Sequence, residues 1–184
     1  MGPGRRVKRL EGELVYLRPL ADRDMDLILT WRAEAEVRKQ LFSARPPTRV
    51  EHEAWLADLQ QRGDREEFVI IVLGSDQAVG TIGLSRIDRT RGEAEYGILI
   101  GEPGWRGRGV ARDASEVILR YAFSDLGLAR VYLSLFADNA PALGLYQKLG
   151  FSAQPNLAGE YTKDGRRRPT VTMQLTREVW QAHG

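Results

Sequence analysis

Three apolar, β-branched runs follow one another in the middle of the chain, and they constrain its fold more than any other feature. The runs are EEFVIIVL (66–73), AVGTIGLSRID (78–88) and EAEYGILIG (93–101), and the turn-forming segments GSDQ and RTRG separate them. Runs of this composition joined by short turns predict an antiparallel meander of three strands. Such a meander needs an apolar cover on its buried face.

The segment that follows the meander has the helical period that such a cover requires. Apolar residues recur at i, i+4, i+7 and i+8 spacing over about 108–125, and Gly127 is a natural helix end. These residues are Val110, Ala114, Val117, Ile118, Tyr121 and Ala122. We therefore expect an amphipathic helix that packs on the sheet.

Further strands and helices are predicted on both sides of this unit. Before it come a strand over 13–20, a helix capped by Asp22 and a second helix whose capping box is Thr48 with Glu51. After it come a strand over 129–136, a helix over 139–149 that ends at Gly150, and two strands, FSAQPNLA and RPTVTMQL, around a KDGR hairpin. This order predicts an α+β domain with a mixed, mostly antiparallel sheet of about seven strands and about four flanking helices.

Length and composition fit one globular domain. The 184 residues can bury a sizeable core, and 42% of them are hydrophobic and 28% charged. No apolar run approaches the roughly 20 residues of a membrane-spanning helix, and the start of the chain lacks the apolar stretch of a secretory signal. We expect a basic flexible tail over 1–12, a single domain over 13–184, a cytoplasmic location and no membrane partner.

Metal and thiol chemistry have no support in the sequence. The chain has no cysteine, which excludes disulfides, thiolate metal sites and cysteine nucleophiles. The two histidines, His52 and His183, are far apart and lack metal-ligand spacing, so no metal site is expected. We expect His52 to lie on the surface of a helix.

One segment, PGWRGRGVAR (103–112), combines glycines with arginines just before the long helix. A turn at this place leaves several backbone N–H groups without helical partners beside the positive end of the helix dipole. Gly107 and Gly109 permit positive φ and close approach of a ligand, and Arg106, Arg108 and Arg112 raise the local potential. The pattern predicts a phosphate site; the alternative is a solvated turn that carries arginines.

Two well-known phosphate-binding loops do not match this segment. A Walker loop needs a lysine followed by serine or threonine, which is absent here. A dinucleotide fingerprint needs G-x-G-x-x-G, and Arg112 occupies the place of its third glycine.

Two blocks of the chain resemble the GNAT superfamily of acetyl-CoA-dependent N-acetyltransferases. RGRGVA is similar to its Q/R-x-x-G-x-G/A signature, with Arg106, Gly109 and Ala111 at the fixed positions. NAPALGLYQKLGF (139–151) is similar to its N-x-x-A-x-x-x-Y-x-K-x-G-F pattern at every fixed position. The order of strands and helices also agrees. The N-terminal third is most similar to the branch that acetylates the N-termini of ribosomal proteins.

The resemblance implies a site for acetyl-CoA and two catalytic residues. Backbone N–H groups of the glycine turn would bind the pyrophosphate of coenzyme A, and the pantetheine arm would run along the end of the preceding strand. Tyr146 would protonate the departing thiolate, and Glu95 would be the general base. The implied cofactor-binding residues are Leu99, Ile100, Gly101, Arg106, Gly107, Arg108, Gly109, Val110, Ala111 and Asn139. From the residues alone, Tyr146 could be a core tyrosine and Glu95 a solvent-facing carboxylate.

The chemistry of acetyl transfer to an amine fits these assignments. Attack on a thioester needs a neutral amine, a polarised carbonyl and a proton source for the sulfur, and a tyrosine of ordinary pKa, about 10, can be that source. Deprotonating a lysine-like amine costs about 4 kcal/mol at neutral pH, whereas a protein α-amine costs about 1 kcal/mol. An enzyme without an effective base would therefore favour weakly basic amines.

The residues are compatible with more than one kind of amine acceptor. We expect direct transfer to a primary amine, either a protein N-terminus or a small molecule. WRAEAEVR and EHEAWL are also similar to acetyltransferases that modify amino sugars on nucleotide carriers, although Ala33 replaces the asparagine of that branch. Aromatic residues at Trp31, Phe42 and Trp55 could line an acceptor cleft, but we expect at least two of them in the core. The arginines at 166–168 form either a solvated turn or a clamp for an acidic acceptor.

Two other classes of protein share some of these features. A coenzyme A-binding regulatory module would keep the fold without turnover. A nucleic-acid binder would fit the net charge of +2 and the pI near 9.0, but no base-stacking aromatic motif accompanies the arginines, so no nucleic-acid partner is expected. A homodimer is an open possibility.

Overall fold

The computed structural model describes residues 9–43 and 45–183, which form nine strands and six α-helices. The strands are β1 (Leu10–Glu11), β2 (Val15–Pro19), β3 (Glu66–Val72), β4 (Ala78–Asp88), β5 (Glu93–Ile100), β6 (Arg130–Phe136), β7 (Ser152–Ala153), β8 (Gly159–Lys163) and β9 (Arg166–Thr176). The helices are α1 (Met25–Ala33), α2 (Ala35–Gln40), α3 (Arg49–Gln61), α4 (Val110–Arg120), α5 (Ala140–Lys148) and α6 (Arg177–His183). The α+β class expected from the sequence is confirmed.

All nine strands belong to one sheet, which contains a single parallel pair within the described residues. The order is β1-β2-β3-β4-β5-β6-β9-β7, and β8 pairs with β9. β3, β4 and β5 form the predicted antiparallel meander. β5 and β6 run parallel and pair only through Glu93–Glu95 and Arg130–Tyr132. Beyond these residues the two strands no longer pair, so the sheet opens between its two halves.

α4 covers one face of the meander, as its apolar period predicts. Its buried residues pack in a common core with residues of β3, β4 and β5 such as Phe68, Ile82 and Tyr96. The helix continues into one π-type turn over Tyr121–Asp125, and the chain then reverses at Gly127, whose φ is +69°. α5 lies on the same side of the sheet, because Tyr146 packs edge-on against Tyr96 with ring centroids 5.8 Å apart.

The helices α1 and α3 lie on the opposite side of the meander. Trp31 and Ile28 of α1 and Leu56 of α3 are buried. The capping box predicted for the second helix is confirmed at the start of α3, where the Thr48 hydroxyl accepts the Glu51 N–H and the Glu51 carboxylate accepts the Thr48 N–H at 2.8 Å. None of the described helices has both the length and the apolar character needed to cross a membrane.

Asp113, in the first turn of α4, fastens the N-terminal strands to this helix. Its buried carboxylate accepts the N–H groups of Glu13, Leu14 and Val15 at 3.0, 2.8 and 2.9 Å. A side chain at Gly12 would collide with it, since an ideal Cβ there would lie 2.4 Å from Asp113 Oδ2. The start of the domain is therefore held by one carboxylate that is about 100 residues away in the chain.

Several predicted boundaries are wrong. Leu10–Glu11, assigned to the flexible tail over 1–12, pairs with β2, and the rest of that prediction up to residue 8 lies outside the described residues. The strand before the KDGR turn is Gly159–Lys163 and not FSAQPNLA, because Pro155 opens a 3-10 turn inside that segment. No pattern in the sequence predicts α2 and α6, which are only six and seven residues long. Helices this short have too little periodic pattern to be recognised.

Candidate active site

The turn between β5 and α4 presents a row of unpaired backbone N–H groups. Gly107 and Gly109 have φ of +72° and +82°, whereas Arg108 between them has a negative φ. Such alternation points successive N–H groups into one concave site. Within residues 9–43 and 45–183, the N–H groups from Gly107 to Arg112 donate to no protein acceptor. Together with the positive end of the α4 dipole, they form a site suited to a phosphate or diphosphate.

The arginines of this turn have partners of their own. The Arg106 guanidinium forms an ion pair with Glu34 at 2.7 Å and donates to the carbonyls of Ile100 and Gly101 at 3.2 Å. Arg112 pairs with Glu116 along α4, and Arg108 lies over the ring of Trp105 at 5.5 Å. Arg106 therefore fixes the shape of the turn, while the main chain offers the free donors.

The edge of β5 that faces β6 is free beyond Glu95. Leu99 and Ile100, where the resemblance places the pantetheine arm, are half-buried and pair only with β4. Gly101 has a packing role as well, because an ideal Cβ there would lie 2.0 Å from Cγ of Trp31. The Trp31 indole N–H donates to Glu102 at 2.8 Å. Trp31 is thus a core residue that docks α1 on the end of β5.

Tyr146 lies on α5 beside the place where the two strands separate. Its ring packs against Tyr96 and against Phe151, with centroids 5.8 and 5.7 Å apart. Its hydroxyl has no hydrogen-bond partner among the described residues, and burial raises the pKa of Tyr146 to about 12. A phenol of this kind stays protonated at neutral pH and has its proton available for a ligand.

Asn139 caps α5. Its side-chain oxygen accepts the N–H of Ala142 at 3.3 Å, which satisfies one of the free donors of the helix start. The side-chain NH₂ group has no partner in the described part of the chain, so it remains available as a donor. The cap explains why asparagine suits this position without any ligand.

Glu95 lies on the face of β5 opposite Tyr96 and Tyr146, because successive side chains of a strand alternate. One of its carboxylate oxygens is 3.4 Å from Arg86 Nε. Arg86 has a φ of +51° at a bulge between Ser85 and Asp88, which turns its side chain toward Glu95. The sequence gives no sign of this ion pair, since the bulge arises from the pairing of β4 with β5.

A cleft of about 340 Å³ opens on the Glu95 face of the sheet. Its floor is the polar side of β6 and β9, and Tyr132 and Gln174 form part of it. Glu93 and Arg130 line it as an ion pair. The cleft has the size of a small-molecule site and carries charges of both signs.

Glu67 on β3 is a second carboxylate on this face, and the sequence analysis did not single it out. It is paired with Gly83 of β4, and Gly83 is paired in turn with Gly97 of β5. Burial raises the pKa of the Glu67 carboxyl to about 7, against the opposing effect of Arg65 and Arg32. The one signal in the sequence was the pair of glycines inside neighbouring strands, which often marks close approach of a ligand or another group.

Three expectations for residues near the acceptor need correction. His52 is buried rather than on the surface, and its Nδ1 has no partner among the described residues. Phe42 and Trp55 are only half-buried, so Trp31 is the one member of the aromatic set that is fully in the core. Arg168 is no solvated turn residue: it lies 3.6 Å from the Phe136 ring centroid and donates to the Lys39 carbonyl at 2.6 Å.

The geometry defines a class of protein. A turn with free backbone N–H groups precedes α4, a free strand edge leads from it, and a protonated tyrosine borders the place where β5 and β6 separate. The model of the acetyltransferase (GNAT) domain matches residues 15–152. The chain belongs to this family, and it is an acetyl-CoA-dependent N-acetyltransferase that transfers an acetyl group to an amine.

Individual relatives agree with this class. The chain is 30% identical over 161 residues to an uncharacterized N-acetyltransferase p20 of Bacillus licheniformis, covering 85% of this chain and 89% of the relative. It is 30% identical over 161 residues to the spermidine N(1)-acetyltransferase of Escherichia coli K12, covering 86% and 84%. Among solved structures, spermidine N-acetyltransferase from Vibrio cholerae, in complex with CoA and spermine, has a TM-score of 0.85 at 24% identity, covering 91% of this chain and 98% of that one.

Proposed function

We propose that the protein transfers the acetyl group directly from acetyl-CoA to the primary amine of a small aliphatic molecule. The observation that carries the proposal is the cleft beside Glu95, which adjoins the opening between β5 and β6 and has the volume of a small-molecule site. Three relatives that are 30–31% identical to this chain are named for spermidine, an aliphatic polyamine. Glu95 in the cleft suits a cationic acceptor, because its 3.4 Å ion pair with Arg86 engages only one of its two oxygens.

Donor binding rests on the main chain of the glycine turn. The N–H groups of residues 107 to 111 bind the pyrophosphate, with Arg106 holding the turn in shape. The pantetheine arm lies along Leu99 to Gly101 as an added strand, and the Asn139 amide donates to it. The free N–H groups and the free edge of β5 support this arrangement.

Two side chains act on the reacting atoms from opposite faces of β5. Tyr146 protonates the thiolate as the C–S bond breaks, which its raised pKa supports because the phenol is fully protonated at neutral pH. Glu95 faces the acceptor and is the carboxylate that the resemblance implies as general base. Its ion pair with Arg86 keeps one of its oxygens engaged.

Protein N-terminal amines are a second acceptor class. The polar face of β6 and β9 next to Glu95 is open, and an extended peptide could lie on it. This acceptor is the one expected for the branch that modifies ribosomal proteins. A homodimer, and one undivided domain through residue 184, remain predictions.

A panel of acceptors tests the proposal. Purified protein with acetyl-CoA is offered spermidine, n-butylamine, peptides with free N-termini and a nucleotide-linked amino sugar, and release of free thiol is followed. We expect turnover with the aliphatic amines and at least tenfold lower kcat/KM with the peptides and the sugar. Higher kcat/KM with the peptides would favour protein N-termini, and binding of acetyl-CoA without turnover on any acceptor would indicate a regulatory module.

A further inference from the structure

Glu67 and two glycines form a continuous row across the meander, on the same face as Glu95. An ideal Cβ at Gly83 would lie 2.3 Å from Glu67 Oε2 and 2.6 Å from its Cδ, so the carboxylate lies directly over the backbone of β4. Nothing stands within 4 Å of the Cβ position of Gly97, the next residue in the row. The row thus leads from the carboxylate, over an open glycine, toward the free edge of β5.

The Glu67 carboxylate has no hydrogen-bond or ion-pair partner in the part of the chain that the structure describes. Within the described residues it accepts no hydrogen bond, and no cation lies within 4.0 Å of it. Nearby, the buried Nε of Arg32 and Nδ1 of His52 also lack partners in the same part of the chain. Buried polar groups are almost always satisfied in folded proteins. Two unsatisfied buried nitrogens near a carboxylate without a partner indicate that a polar ligand or ordered water completes this site.

The charges around Glu67 come from several elements. Arg32 faces it from α1, Arg65 precedes it on the chain, and His52 of α3 lies near Arg32. Glu95 is on the same face, two residues from Gly97 on β5. The two arginines oppose the effect of burial, and the balance leaves the carboxyl close to half ionised at neutral pH. They also disfavour a second positive charge beside them, which favours loss of a proton from an ammonium group.

We propose that Glu67 is the principal proton acceptor of the reaction: from its place over Gly83 it receives the ammonium group of an aliphatic acceptor above Gly97 and takes up one proton. This inference rests on the proposed function. Glu95, already engaged by Arg86, then holds the amine in position. Glu67 thus removes the proton, and Glu95 orients the nitrogen.

The acceptor ammonium gives one proton to the Glu67 carboxylate, and the neutral nitrogen attacks the thioester carbonyl carbon. The C–N bond forms, the C–S bond breaks, and the thiolate takes the proton of Tyr146. The nitrogen loses its remaining surplus proton, which restores the tyrosine through solvent, and Glu67 returns its proton to water.

The test compares Glu67→Gln with Glu66→Gln and Glu95→Gln. Glu66 is the matched control, because it is the adjacent carboxylate on the opposite face, where it accepts a hydrogen bond from Tyr121. For wild type with n-butylamine we expect kcat/KM to rise with pH through an apparent pKa near 7. Glu67→Gln should lose this rise and lower kcat/KM about 10²- to 10⁴-fold. Glu95→Gln should keep this rise with pH but have a lower kcat/KM at every pH. Glu66→Gln should match wild type.

Two further readouts separate a chemical role from a structural one. Glycinamide has a more weakly basic amine, so Glu67→Gln should cost at least tenfold less with it than with n-butylamine. Carbon-13 NMR of the glutamate carboxyls, in protein without acetyl-CoA, should show one resonance that titrates near pH 7 and is missing in Glu67→Gln. Acetyl-CoA affinity by calorimetry should not change.

The outcomes are distinguishable. If Glu67→Gln keeps both the rate and the pH dependence while wild type acetylates amines, the inference is wrong and the proposed function stands. The same conclusion follows if no glutamate titrates near pH 7. If wild type acetylates no amine in the panel, the proposed function and the inference fall together.

Discussion

At the scale of single residues, one physical effect gives two side chains opposite uses. Removal from water disfavours the charged form of both Tyr146 and Glu67 and raises both pKa values, to about 12 and about 7. At neutral pH the tyrosine therefore keeps its proton and can donate it. The glutamate is about half ionised and can accept one. The two groups lie on opposite faces of the sheet, and the row from Glu67 over Gly83 and Gly97 leads toward the opening between β5 and β6.

Replacing Tyr146 by phenylalanine tests the proton donor. Tyr146→Phe keeps the ring that packs against Tyr96 but removes the hydroxyl, so we expect turnover to fall about 10²- to 10⁴-fold. Acetyl-CoA affinity by calorimetry should stay within about twofold. Because the phenol titrates only near 12, the wild-type rate should not decline from loss of this acid below about pH 10. Unchanged turnover would remove Tyr146 from the chemistry.

The raised pKa of Glu67 predicts a pH-dependent effect on stability. The folded protein binds this proton more tightly than the unfolded chain, so the free energy of unfolding falls as pH rises from about 4.5 through about 7. Glu67→Gln removes the ionisation. Thermal melts should therefore show the variant more stable relative to wild type at pH 8 than at pH 5. An equal difference at both pH values would contradict the assigned pKa.

At the scale of elements, turns and helix ends place the functional groups. The glycine turn works because two left-handed residues direct free N–H groups to one side, and Arg106 ties the turn to β5 and to Glu34. Asp113, the fourth residue of α4, holds the N-terminal strands in place. One helix start thus carries both the proposed binding site for the diphosphate and a stabilising contact to the N-terminal strands.

A matched pair of glycine substitutions separates these functions. Gly107 and Gly127 have φ of +72° and +69°, and nothing lies within 4 Å of either Cβ position. Alanine at either site should cost about 1–2 kcal/mol of stability through left-handed strain. Only Gly107→Ala should weaken acetyl-CoA binding, by at least tenfold in calorimetry. Equal affinity of the two variants would argue against the diphosphate site.

Asp113→Asn should detach the N-terminal strands from α4. The variant loses the charge that three backbone N–H groups share, and its NH₂ group would face one of them, so we expect a loss of about 2–4 kcal/mol in urea unfolding. Asp58→Asn is the control, because Asp58 forms only an exposed ion pair with Arg62 and should cost less than about 1 kcal/mol. Similar losses for both variants would show that Asp113 is not an anchor.

At the scale of the whole molecule, the sheet is two halves joined by a short parallel contact. β5 and β6 share three residue pairs, and the free edge beyond them lies next to the glycine turn, Tyr146 and the cleft. A ligand that inserts there bridges both halves. Binding should therefore stabilise the fold as a unit.

Acetyl-CoA should raise the thermal midpoint. At a concentration of 100 times its Kd, a ligand that binds only the folded protein adds about 2.7 kcal/mol, which corresponds to roughly 5–10 °C for a chain of this size. Differential scanning fluorimetry of wild type and Gly107→Ala measures this shift, which should be much smaller in the variant at equal ligand concentration. A wild-type midpoint that does not respond to acetyl-CoA would remove the basis for the donor site.

The sequence by itself determined the parts of this protein whose causes are local. The meander, the amphipathic α4, the α3 capping box and the glycine turn follow from composition and spacing over at most 18 residues, so their signals are visible in one segment. Only the tertiary structure decided the rest. Gly101 fits beneath Trp31, Arg86 meets Glu95 across a bulge, His52 is buried, and Glu67 lies over Gly83. Each of these depends on the register of neighbouring strands or on a helix packed from elsewhere in the chain, and it is burial in that assembled structure that sets the pKa of Glu67.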